Sequence, residues 1–80
     1  TSLHTLVQMV DNGLGLTLLP EMAIRGGILA NTNINARPIR SANAHRQIAL
    51  IWRRNSPREA DFRLMAEILR NAAVKQKEAA

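Results

Sequence analysis

Twenty residues, Thr1 to Pro20, read TSLHTLVQMVDNGLGLTLLP and constrain the fold more than any other stretch. Leu3, Leu6, Val7 and Val10 recur at i, i+3, i+4 and i+7, which places them on one face of a helix. Thr1 or Ser2 can cap that helix, because a hydroxyl oxygen accepts from a first-turn amide. Asn12-Gly13 stops it: glycine enters the left-handed conformation needed after a helix C-terminus at no steric cost. Leu16-Thr17-Leu18-Leu19 then reads as a covered strand, closed by Pro20, which has no amide hydrogen to give a ladder. Pro20 is also suited to open a short helix over Glu21-Met22-Ala23-Ile24-Arg25. The stretch thus encodes a complete helix, turn and buried strand.

The rest of the chain fills in an α/β class. Ile34 to Ile39 alternates apolar and polar residues with period two, and Pro38 restricts it to an edge position or a strand end. Ser41 to His45 is polar enough for a connection. Ile48-Ala49-Leu50-Ile51-Trp52 is apolar without alternation, as in a strand covered on both faces. Ser56-Pro57-Arg58-Glu59 has the form of a capping box, with serine at the cap, proline at the first helical position and glutamate at the third. Behind it Phe62, Met65, Ala66, Leu69, Ala72 and Ala73 form the predicted buried stripe of a last helix.

Charge and missing residue types exclude several functions. The net charge of +5 is uneven, since no acidic residue stands between Glu21 and Glu59 while Arg25, Arg37, Arg40, Arg46, Arg53, Arg54 and Arg58 all do. Clustered arginines suit phosphates, but no recognition-helix pattern accompanies them, and Trp52, inside an apolar strand, is badly placed to stack on a base. A solvated face, or pairing with carboxylates elsewhere in a larger domain, accounts for them. His4 and His45 have no metal-ligand spacing, no cysteine is present, and no cofactor is expected. Gly13-Leu14-Gly15 follows a helix and precedes a strand, the reverse of the dinucleotide-binding order. With no nucleophile elbow around a serine either, the sequence does not read as an enzyme. No apolar run approaches the ~18 residues of a membrane span.

The strings TSL-x-TL-xx-MV and G-x-G-x-TLLP, followed by HRQIALIWRRNSP, resemble the late effector-domain segment of LysR-type bacterial transcriptional regulators, and most of all their peroxide-sensing branch. The resemblance implies a fragment of a two-lobed, periplasmic-binding-protein-like effector domain. Residues 1–80 would be its C-terminal part, without the N-terminal winged helix-turn-helix that carries DNA binding. It places the first helix and strand in the second lobe and returns the chain to the first lobe from Gln47 onward. It implies an effector-sensing part of a cytoplasmic transcriptional activator responsive to hydrogen peroxide. The partners would be a small-molecule or peroxide effector, DNA through the absent domain alone, RNA polymerase, and further copies of the protein in a dimer or tetramer, with no membrane.

Two sites follow from the same resemblance. In the family the threonine opening this helix lines the inter-lobe cleft, so Thr1 and Ser2 are the expected effector-binding residues, helped by a helix N-terminus that favours negative charge. Arg46 matches the arginine just before the late strand of the peroxide-sensing branch, where a cation would favour a sensing thiolate. The redox cysteines themselves would lie upstream of Thr1. The competing class is a small self-contained solute-binding or protein-interaction module. These alternatives differ in self-sufficiency: a chain of 80 residues buries only roughly 60% of its unfolded surface. With about two other strands to flank Ile48 to Trp52, it is expected to leave edges open and not to persist as a stable monomer.

Overall fold

The computed structural model describes residues 2–39 and 47–79, the side chains of 74–79 excepted. The elements are α1 (Leu3–Asp11), β1 (Leu16–Pro20), α2 (Glu21–Arg25), β2 (Ile34–Ile39), β3 (Ile48–Arg53) and α3 (Glu59–Ala79). The three strands form one antiparallel sheet in the order β1-β3-β2. The α/β class read from the sequence is therefore present, with β3 in the centre.

Both ends of α1 are closed as the sequence predicts. The Ser2 hydroxyl accepts from the Thr5 amide at 3.1 Å. At the other end Gly13, at φ +82°, lets its own amide reach the Val10 carbonyl at 2.9 Å and the Leu14 amide reach that of Met9 at 3.1 Å. This double bond pattern satisfies two carbonyls the helix leaves orphaned. Only the C-terminal half of the predicted stripe is buried, however. Val7 and Val10 are inside, Leu6 is half-buried, and Leu3 remains 39% exposed.

The absence of alternation in β3 has a direct structural cause: successive side chains serve two different cores. Ile51 joins Val7, Val10, Leu19 and Ile34 on the α1 face, with Ile24, Ile28 and Leu29 packed against them. Leu50 and Trp52 join Ile39, Phe62 and Ala66 on the α3 face, flanked by Leu16, Ile48 and Leu69. Ala49 to Trp52 are each no more than 1% exposed, so the strand is covered on both sides.

Register also explains the two strand prolines. The Glu21 amide donates to the Gln47 carbonyl at 2.9 Å, just beyond the β1–β3 ladder, and the Arg54 amide to the Asn33 carbonyl at 2.7 Å, just beyond β2–β3. Stepping by twos along each antiparallel ladder turns the backbone groups of Thr17 and Leu19, and of Asn35, Arg37 and Ile39, toward β3. Pro20 and Pro38 fall on the alternate positions, facing outward. Each lacks an N–H where, among the described residues, the sheet has no strand to receive it, which is how a proline fits an edge strand.

Three expectations need correction. The first helix and strand do not belong to a different lobe from the segment after Gln47: β1 pairs with β3 from Leu16↔Trp52 to Pro20↔Ile48 and shares its core. The helix after Ser56 does not form a reciprocal capping box. The Ser56 hydroxyl accepts from the Arg58 amide at 3.2 Å and its carbonyl from the Glu59 amide at 3.0 Å, but the Glu59 carboxylate turns away to the sheet, and α3 begins only there. Finally, Met65 and Ala72 are exposed rather than part of the buried stripe. The charged flank of α3 is anchored to β2, by Asn35 to Glu59 and Arg37 to Glu67, both at 2.9 Å. That rotation turns Phe62, Ala66, Leu69 and Ala73 to the sheet and leaves Leu64, Met65 and Ile68 in solvent.

Candidate functional site

Of the site residues expected from the sequence, Thr1 and Arg46 lie outside the described residues, as do Arg40 and the Ser41 to His45 connection. Ser2 is described, as the cap of α1. Its hydroxyl takes the Thr5 amide and sits 2.9 Å from the Thr5 hydroxyl, while its carbonyl accepts from Leu6 at 3.2 Å. The two amides before Thr5, those of Leu3 and His4, have no acceptor among the described residues. First-turn amides and the positive end of a helix favour an anionic or carbonyl oxygen. Leu3 and His4 are exposed.

Among the described residues, two depressions lie away from this helix end. A polar bay of about 560 Å³ is lined by Gly13, Asn33, Arg53, Arg54, Asn55, Ser56 and Pro57, where the turn after α1 meets the turn between β3 and α3. Asn33 is tied in through its amide to the Asp11 carboxylate at 3.1 Å, and Arg54 through its Nε to the Asn35 side-chain oxygen at 3.0 Å. Asn55 turns the chain at φ +59°, a conformation asparagine adopts more readily than most residues. A smaller dent of about 220 Å³, on the side of the sheet that α1 covers, is lined by Glu21, Ile24, Arg25, Ala36, Pro38 and Ala49. Ser2 lines neither. In the sequence Arg53 and Arg54 stand out only as members of a basic stretch; their meeting with Gly13 and Asn33 depends on long-range pairing that no local pattern encodes.

A connected polar group anchors the start of α3. Asn35 accepts from Arg54 and donates to Glu59, which also accepts from Arg63 at 3.0 Å. Burial opposes ionisation of Glu59, but it is outweighed by the Arg63 hydrogen bond and charge, the neighbouring Trp52 indole N–H and the Asn55 backbone, which together hold the carboxyl below its ordinary range. The buried Trp52 N–H favours the charged carboxylate by proximity without closing a hydrogen bond of normal geometry. Arg63 also lies over the Trp52 ring at 5.8 Å and Arg58 over Phe62 at 5.4 Å. This group fastens helix to sheet, and through Arg54 and Asn55 it adjoins the polar bay. Among the described residues no three of His, Cys, Asp and Glu gather as a metal site would require, and no helix is long and apolar enough to cross a membrane.

Residues 1–74 match the family model described as the LysR substrate binding domain. The chain is 41% identical over 71 residues to the HTH-type transcriptional regulator EstR of Acinetobacter baylyi, an alignment covering 88% of this chain and 23% of that protein. It is 36% identical over 70 residues to a probable hydrogen peroxide-inducible genes activator of Streptomyces viridosporus, covering 88% of this chain and 22% of that one. The chain thus spans less than a quarter of the length of these curated relatives. No solved structure matches it. Both relatives are named for gene regulation and neither for catalysis. With a match that runs from Thr1 through α1, the sheet and most of α3, the chain belongs to the LysR substrate-binding domain family.

Proposed function

We propose that this chain is the effector-sensing regulatory part of a DNA-binding transcriptional activator, with DNA contacted through a separate N-terminal domain. The observation that carries the reading is the match of residues 1–74 to a substrate-binding domain. The N-terminus of α1, capped by Ser2, supports it chemically, because the positive end of a helix suits a carboxylate or another anionic group on an effector. Thr1 and Ser2 are the proposed effector-binding residues. The test is replacement of both by glycine in the intact regulator, since glycine keeps much of the capping preference. The expected outcome is a weakened effector response with a melting temperature close to wild type; an unchanged response removes these two residues from the site.

For the identity of the signal we propose hydrogen peroxide, on the support of the relative whose name describes a peroxide-inducible activator. These 80 residues contain no cysteine, so a thiol that reacts with peroxide belongs to another part of the regulator. In this reading Arg46 serves that thiol by favouring its thiolate, the form that attacks. Substituting Arg46→Ala in the intact protein is expected to slow its reaction with peroxide. A rate equal to wild type refutes the role of Arg46, and an intact regulator indifferent to peroxide refutes the choice of signal while leaving the effector-sensing assignment standing. The proposed partners are the effector, operator DNA, RNA polymerase and further copies of the regulator.

A further inference from the structure

We draw no further inference here: the strongest candidate, the apolar flank of α3 formed by Leu64, Met65 and Ile68 together with the half-exposed Leu18 of β1, is an unpartnered surface, and nothing in the structure shows what covers it.

Discussion

Glu59 shows how one side chain can be legible by type and misread by role. Its place three residues after Ser56 invites a capping box. The structure instead uses its carboxylate across a sequence distance of 24 residues, to hold Asn35 on β2. A helix-cap pattern is local, whereas the competing partners come from β2 and from Arg63 one turn along, and together they offer more to a carboxylate than a single backbone amide does. The consequence is a pH dependence of defined sign. Because the folded-state pKa of Glu59 is lowered, its contribution is present above the ordinary value of 4.5 and is lost as pH falls through the depressed one. Thermal unfolding followed from pH 7 down to pH 3 should show a falling melting temperature below about pH 4.5. In Glu59→Gln, which keeps an acceptor for Asn35 and Arg63 but cannot titrate, that fall should be shallower. An identical profile in both proteins would place the acid sensitivity elsewhere.

At the scale of elements, the parts written in local pattern were readable and the parts set by pairing were not. The turn at Asn12-Gly13, the buried run of β3 and the edge position of β2 all follow from residue type and periodicity. The rotation of α3 does not: Met65 and Ala72 have the spacing of a buried stripe, but the pairing of Arg37 with Glu67 and of Asn35 with Glu59 turns the helix away from them. The polar bay is equally non-local, since Gly13, Asn33 and Arg54 come from three separate segments. The outward-facing prolines lead to a prediction about the sheet. Pro38→Ala restores an N–H on the open side of β2 and disturbs no bond to β3, so the midpoint of thermal unfolding should change little, the main loss being the proline constraint on the unfolded chain. The restored donor should nevertheless promote edge-to-edge association. Light scattering at matched concentrations is expected to be higher for the variant; equal scattering at equal stability would mean that the proline does not guard this edge.

Among the described residues the sheet has two open edges, and the molecule presents a set of exposed apolar side chains that a self-sufficient domain of this size would be expected to cover. Leu64 and Ile68 on α3 are 61% and 55% exposed, Met22 on α2 is 83% exposed, and Leu18 on β1 is 44% exposed. Burying a large aliphatic side chain stabilises by roughly 1.5–3 kcal/mol, a large fraction of what a domain of this length can hold in reserve. The curated relatives are about four times the length of this chain, and in a protein of that size the rest of an effector domain can cover such surfaces. The central claim, that these residues are one part of a larger sensing domain rather than a self-contained module, is tested most directly by sedimentation velocity on the 80-residue chain across concentration, paired with thermal unfolding of the same samples. The account predicts concentration-dependent association and a broad, weakly cooperative transition. A compact monomer at micromolar concentration with a single cooperative transition would contradict it.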